Sequence, residues 1–242
     1  MADVLRGPGE VAEDDASDAV LALYARLREL LDVSFVPTVF RMLALHESYL
    51  TAVVDALAAT SAPRRTARAR ACVALAAGVA TRLDPPPLDA GTDGPRVAAL
   101  LDRYNVANPS GLLVLTALAT GLEPARGVLE PPLPPRAGRS LNDDVLACHG
   151  GFTVPGLWRE LAHGWPALAE QAWSEIRALA EAPAFGAGRA ELIALAAGAI
   201  GPGELPAPPA EVERIVAWFA RAIPSMVLEI ECLRLALSRG SG

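Results

Sequence analysis

The sequence predicts an all-α protein, built as a tandem duplication of one helical unit with pseudo-two-fold symmetry between the copies. Hydrophobic residues make up 52% of the 242 residues, yet aromatic residues make up only 5%. Much of the apolar fraction is Ala, Leu and Val, which favours helices that approach each other closely. No stretch shows the sustained alternation of polar and β-branched residues that is typical of strands. Three sequence blocks that recur in the same order indicate the duplication.

The longest of these blocks starts with a Val-Pro pair. Residues 36–44 (VPTVFRMLA) match residues 154–162 (VPGLWRELA), an offset of 118 from 36 to 154. The other pairs are ALAAG at 74–78 and 194–198, and NPS at 108–110 with IPS at 223–225. Three ordered matches at nearly one offset predict two related halves, and a pocket between such halves can carry a different residue at each equivalent position.

Apolar residues at helical spacing predict the elements of a first repeat at 13–122. Residues 1–12 are expected to fray, and a helix then begins near Asp15 or Ser17, both residue types that cap helix starts. Pro37 suits the first turn of the second helix. The fourth helix is predicted to break before Pro109, because the residue before a proline is driven out of the helical region. The predicted helices of this repeat are 17–31, 37–59, 64–82 and 95–118.

A proline-rich linker is predicted at 123–139, where a duplication would have its joint. It contains five prolines and two glycines in 17 residues, counted from Glu123 to Arg139. The second repeat follows at 140–238. Its predicted helices are 141–149, 155–181, 188–200 and 209–238, with a break expected at Pro224.

Charge and cysteine content exclude several functions. The net charge of −7 leaves no basic face for nucleic acid. Three cysteines without a Cys-x-x-Cys pair and three scattered histidines predict neither disulfides nor a metal site, and no cofactor motif is present. The N-terminus has no signal-peptide pattern. No uncharged run reaches the roughly 20 residues that span a membrane. We therefore expect a cytoplasmic protein that binds neither membrane nor nucleic acid.

Two sets of residues are candidates for ligand binding. Arg41 and Arg159 occupy equivalent places in the repeat, each after an aromatic residue, Phe40 or Trp158. Two guanidinium groups near a pseudo-two-fold axis can bind a carboxylate through paired N–H donors; the alternative is that each pairs with an acid of the protein. The second set lies at the predicted helix break and consists of Tyr104, Asn105 and Asn108, with helix capping as the alternative.

The Val-Pro motif, the segment YNVANP at 104–109 and the second copy's WPAL at 165–168 together resemble the DehI-like family of group I 2-haloacid dehalogenases. This resemblance implies an all-α tandem repeat with the pocket between its halves. It also implies hydrolysis of a carbon–halogen bond by a water that an Asp activates and an Asn helps to hold. Asn108 best matches that Asn, with Asn105 as second choice.

The resemblance places the water-activating Asp just before the aromatic-Arg pair of the second copy, where this chain has Leu157. General-base catalysis contributes about 10²–10⁴-fold to a rate, so we expect negligible dehalogenase activity, and no catalytic residue can be named. The Val-Pro motif also resembles AhpD-like helical proteins, but their redox Cys pair is missing here. The alternatives are therefore a protein that binds a small (2-halo)carboxylate in a pocket between the repeats, with or without hydrolysis, or a non-catalytic helical binding or scaffold module. A homodimer is a further expectation.

Overall fold

A computed structural model describes residues 9–122, 140–150 and 152–240. These residues form α-helices, three short 3-10 segments and connecting turns, and they contain no strand. The all-α prediction is therefore confirmed. The predicted linker at 123–139 lies outside the described residues, and the division into two superposable repeats stays a prediction.

The helices have the following bounds: α1 Asp18–Leu31, α2 Thr38–Leu43, α3 Glu47–Ala59, α4 Ala62–Leu83, α5 Gly94–Leu118, α6 Leu141–Cys148, α7 Gly156–Gly164, α8 Pro166–Ala180, α9 Pro183–Ala196 and α10 Ala210–Gly240. Serine caps begin three of them, since Ser17, Ser61 and Ser140 each accept a backbone N–H of the first turn. Aspartates in the left-handed region, Asp32 and Asp84, end α1 and α4.

Two helices predicted as continuous are each split in two. The predicted helix 37–59 is interrupted by a 3-10 turn at Ala44–His46, and the predicted helix 155–181 is interrupted at Trp165. Trp165 lies outside the helical region, with φ −146° and ψ 68°, because Pro166 follows it and disfavours that region. His46 has a similar conformation, with φ −119° and ψ 64°. No neighbouring proline or glycine predicts this interruption.

Two predicted helix breaks do not exist. Helix α5 runs through Pro109 and α10 runs through Pro224 without interruption. Both prolines are buried where these two helices pack along each other. A proline inside a helix costs about 3 kcal/mol, and burying the long apolar faces of both helices outweighs that cost. No cavity therefore arises from broken helices at these points.

Helices α5 and α10 each contribute to two hydrophobic clusters. The end of α5 from Leu112 onward and the first half of α10 pack with α1, α2, α3 and α9. The start of α5 and the last turns of α10 pack with α7 and α8. Within the described part of the chain, no helix combines the length and the apolar character needed to cross a bilayer.

Candidate carboxylate site

The two arginines at equivalent positions of the repeat meet at one threonine. Pro37 and Pro155 lead into α2 and α7 with nearly the same backbone angles, φ −58° and ψ 146° against φ −55° and ψ 142°. The Nη2 atoms of Arg41 and Arg159 then donate to Oγ1 of Thr38, at 3.3 and 3.2 Å. The same local sequence thus delivers two guanidinium groups to one place from two different helices.

A carboxylate of the protein lies between these guanidinium groups. Glu10 Oε2 is 2.8 Å from Nη2 of Arg41, and Glu10 Oε1 is 2.9 Å from Nη2 of Arg159. The Glu10 side chain is 1% exposed. The prediction that residues 1–12 fray is therefore wrong for the described residues 9–12. The sequence pattern does not predict Glu10 at this site, because its position depends on how residues 9–16 fold over α2.

Three nitrogen atoms of the two arginines have no hydrogen-bond acceptor among the described residues. Nε of Arg41 and both Nε and Nη1 of Arg159 are buried and have no hydrogen-bond acceptor among the residues that the structure describes. The two Glu10 oxygens lie at ion-pair distance, but neither receives a well-directed N–H. A guanidinium offers five donors in a fixed fork, so the site has more donors than Glu10 satisfies.

A cavity of about 120 Å³ opens beside the arginines. Phe35 and Val36 give it an apolar wall, and Arg103 stacks over the Phe35 ring at 5.6 Å from its centroid. The full lining is Glu13, Phe35, Val36, Arg41, Arg103, Tyr104, Gly156, Arg159 and Glu160. Buried donors therefore adjoin a small space that is apolar on one side.

Glu160 is the carboxylate that lines this cavity from α7, and both of its oxygens have partners. The Tyr104 hydroxyl donates to Oε1 at 2.7 Å, and Nη2 of Arg103 donates to Oε2 at 2.5 Å. Burial, and then the neighbouring Glu160 charge, raises the pKa of Tyr104 well above its ordinary value. Tyr104 therefore stays protonated and keeps its hydrogen bond, and each Glu160 oxygen already accepts one hydrogen bond.

The structure brings Arg41, Arg159 and Tyr104 of the predicted site residues to one cavity. It places the other predicted residues elsewhere. Asn105 donates through Nδ2 to Oε1 of Glu231 at 2.7 Å. Asn108 is buried within α5 and does not line the cavity. Phe40 and Trp158 are fully buried in the two hydrophobic clusters.

Leu157, which stands where the resemblance implies an Asp, is also a core residue.

The residues of the site that the sequence did not predict are Glu10, Phe35, Thr38, Arg103, Gly156 and Glu160. Thr38 had a signal, because it pairs with Gly156 in the repeat alignment and the two differ sharply in side chain. Gly156 shares that signal, and Glu160 has a similar one because it aligns with Met42. Glu10, Phe35 and Arg103 carried no pattern of their own.

Gly156 keeps the cavity open. A Cβ at this position would lie 2.6 Å from the Tyr104 hydroxyl oxygen, and Glu160 holds that hydroxyl in place. We predict that Gly156→Ala lowers the free energy of unfolding by about 1–3 kcal/mol through overpacking. Gly164, in the same helix, has no atom within 4 Å of its Cβ position, so Gly164→Ala is the control and should be neutral or slightly stabilising. Equal unfolding curves for both variants would show that the cavity tolerates a methyl group.

Elsewhere in the described residues, no second site of this kind is formed. A groove of about 770 Å³ lies between α4, α5 and the end of α10, but its Arg234 already pairs with Asp102 and Glu231, at 3.0 Å each. Within the described ranges, no group of three or more His, Cys, Asp or Glu side chains is placed to hold a metal ion.

Neither a protein-family model nor a curated protein matches the sequence. Solved structures are similar. A D-2-haloacid dehalogenase mutant in complex with D-2-CPA matches with a TM-score of 0.77 at 15% identity, and a D-2-haloacid dehalogenase with L-LA matches with 0.76 at 16%. A further D-2-haloacid dehalogenase mutant gives 0.73 at 16%. Each match covers 94% of this chain and 95% of the other. The chain therefore has the dehalogenase fold that its motifs resemble.

Proposed function

We propose that the protein binds a short organic monocarboxylate in the cavity beside Arg41 and Arg159. The observation that carries this proposal is Arg159. Its side chain is 8% exposed, and two of its N–H groups have no acceptor in the described part of the chain. Unpaired buried donors on a charged group are costly, and a carboxylate aligned with one edge of the guanidinium satisfies one of them together with Nη2, the nitrogen that faces Glu10.

The cavity limits the size of the ligand. Its volume of about 120 Å³ equals roughly four water molecules at about 30 Å³ each. Phe35 and Val36 offer contact to an apolar body of that size. We therefore propose acids of about two to four carbons. The fold neighbours support this class, because they are named for 2-haloacids, which are carboxylic acids.

A binding experiment tests the proposal. Titration with propionate, followed by calorimetry, is expected to show one site with a dissociation constant near 1 mM, about −4.1 kcal/mol. Propionamide has the same shape without the charge, and it should not bind, because the buried guanidinium groups require an anion. If propionate and propionamide behave alike, the arginines do not form a carboxylate site.

We further propose that binding is not followed by dehalogenation. Leu157 is buried in the core, and Glu160 has both oxygens engaged by Arg103 and Tyr104. No other group of the described cavity is placed to take a proton from water without losing an ion pair. We predict no halide release from 2-chloropropionate at ordinary enzyme rates, about 1 s⁻¹ or more. Release at such rates, measured by ion chromatography and lost in Glu160→Gln, would identify Glu160 as the base instead.

A further inference from the structure

We infer that Glu10 is a built-in competitor for the carboxylate site, and that a ligand is bound only when the N-terminal strap, residues 9–16, moves away. This inference rests on the proposed function and concerns the regulation of the same site. The Glu10 carboxylate occupies the position between Arg41 and Arg159 that a ligand carboxylate would take, with one oxygen directed to each arginine.

Glu10 fills the site imperfectly. Its two oxygens are each within 2.9 Å of a guanidinium nitrogen, yet neither receives a directed hydrogen bond, and the Nε and Nη1 donors of Arg159 are left over. The Glu10 backbone fixes the angle at which its carboxylate arrives. A free carboxylate has no such constraint and can accept two parallel N–H bonds from Arg159. The free ligand therefore gains contacts that Glu10 cannot make.

The strap is held by polar contacts on both sides of Glu10 and by the packing of Val11 and Ala16 against the core. The Val11 N–H donates to the Arg41 carbonyl at 3.0 Å, and the Tyr24 hydroxyl donates to the Val11 carbonyl at 2.7 Å. Glu13 pairs with Arg28 on the exposed surface at 2.9 Å. A short segment outside the α-helices can open locally without global unfolding. The strap can therefore release Glu10 without unfolding the helices that carry the arginines.

Competition of this kind has a defined consequence. If only a fraction of molecules has an open strap, the apparent dissociation constant rises by the inverse of that fraction. By linkage, a bound carboxylate must in turn shift the strap towards its open state. Opening of the strap therefore tightens ligand binding, and ligand binding favours the open strap. Both effects can be measured.

The first measurement removes the competitor. We expect Glu10→Ala to bind propionate at least about tenfold more tightly than the wild-type protein, and Glu10→Gln to do the same, because a neutral amide competes poorly for two guanidinium groups. Asp14→Ala is the matched control, since it removes an exposed negative charge from the same strap outside the cavity. It should leave the dissociation constant unchanged. Propionamide should gain no affinity in any variant.

In Glu10→Ala, two buried arginines lose their partner. Two further measurements test the inference even if this variant does not fold. Tyr24→Phe removes one strap hydrogen bond without touching the cavity, and we expect it to tighten propionate binding by about threefold to tenfold. In the wild-type protein, propionate should speed hydrogen exchange of the amides in residues 9–16, whereas propionamide should not.

The outcomes separate the two proposals. Equal propionate affinity in the wild-type protein, the Glu10 variants and Tyr24→Phe, with unchanged exchange of the strap, overturns the competition and leaves the carboxylate site standing. Absence of propionate binding in every folded variant overturns the proposed function itself. Tighter binding in the Glu10 variants and in Tyr24→Phe, together with a strap that opens on ligand addition, supports both.

Discussion

Arg159→Met is expected to lower the free energy of unfolding by about 3 kcal/mol and to abolish propionate binding. The change leaves the Glu10 carboxylate, 1% exposed, with Arg41 as its remaining cation. Breaking a buried ion pair from one side costs about 3–5 kcal/mol, because the other charge stays buried. The retained Arg41 pair and the ability of the strap to move Glu10 into water place the expected loss at the lower end. Chemical denaturation measures it.

Arg159→Lys separates charge from geometry. Lysine keeps the positive charge but offers a compact ammonium in place of the planar fork. We expect stability to return to within about 1 kcal/mol of the wild type, because an ammonium can pair with one Glu10 oxygen. Propionate affinity should stay at least about tenfold weaker than in the wild type, because two parallel hydrogen bonds to one carboxylate need the guanidinium.

Arg26→Met is the control for both measurements. Arg26 pairs with Asp55 at 2.8 Å, a distance like those at Glu10, but the two side chains are 44% and 59% exposed. An exposed pair contributes about 0–1 kcal/mol, and this one is remote from the cavity. Arg159→Met and Arg26→Met with the same unfolding midpoint and the same propionate affinity would refute both the buried pair and its role in binding.

The helical spacing of apolar residues was sufficient to predict the class and most of the helices, because burial of one face dominates helix stability in a folded protein. It failed where local rules were applied alone. Pro109 and Pro224 were predicted to break helices, yet both lie where α5 and α10 pack along each other. Conversely, the turn at Ala44–His46 interrupts a helix without a breaking residue. Tertiary packing decided each case.

The site was partly predictable for a similar reason. The internal repeat identified Arg41 and Arg159, since equivalent positions of two copies are the ones that can meet at a symmetry axis. It could not identify Glu10, which lies before the predicted first repeat and reaches the two arginines only because the strap folds over α2. The asparagines were chosen for a break in α5 that does not occur, and Asn105 instead pairs with Glu231.

The sequence analysis also did not predict a buried network of charged residues around His149 and Glu229. His149 and Glu229 are 8% and 3% exposed. The Nδ1 atom of His149 faces the Val145 carbonyl at 2.9 Å, and its Nε2 atom faces Oε1 of Glu229 at 3.0 Å. Trp158 Nε1 donates to the other Glu229 oxygen at 2.9 Å. Both imidazole nitrogens thus face acceptors, which favours the doubly protonated, charged ring.

The folded protein raises the pKa of His149 and lowers the pKa of Glu229. Burial alone would lower the pKa of His149, but the charge and hydrogen bond of Glu229 outweigh burial, so the pKa is raised above 6.5. Burial alone would raise the pKa of Glu229, but His149, Trp158 and Arg189 outweigh it, so that pKa is lowered below 4.5. Each group therefore stabilises the charged form of the other.

Glu229→Gln is accordingly expected to lower the free energy of unfolding by about 3–5 kcal/mol near neutral pH, since it leaves a buried imidazole without its counter-charge. Glutamine keeps the volume, so the loss reports on charge and not on packing. Glu213→Gln, an exposed change in the first turn of α10, is the control and should cost no more than about 1 kcal/mol. A loss no larger than that of the control would mean that His149 is neutral in the folded protein.

The pH dependence of the unfolding free energy distinguishes a charged His149–Glu229 pair from a neutral one. A raised His149 pKa gives stability that is fully present below the unfolded value of 6.5 and is lost as pH rises through the folded value. A lowered Glu229 pKa gives stability that is present above 4.5 and is lost as pH falls through the folded value. The difference in unfolding free energy between the wild-type protein and Glu229→Gln should therefore be greatest between these two values and decline on both sides. A difference that instead grows steadily with rising pH would contradict a charged pair, because deprotonating His149 can only remove the attraction that Glu229 supplies.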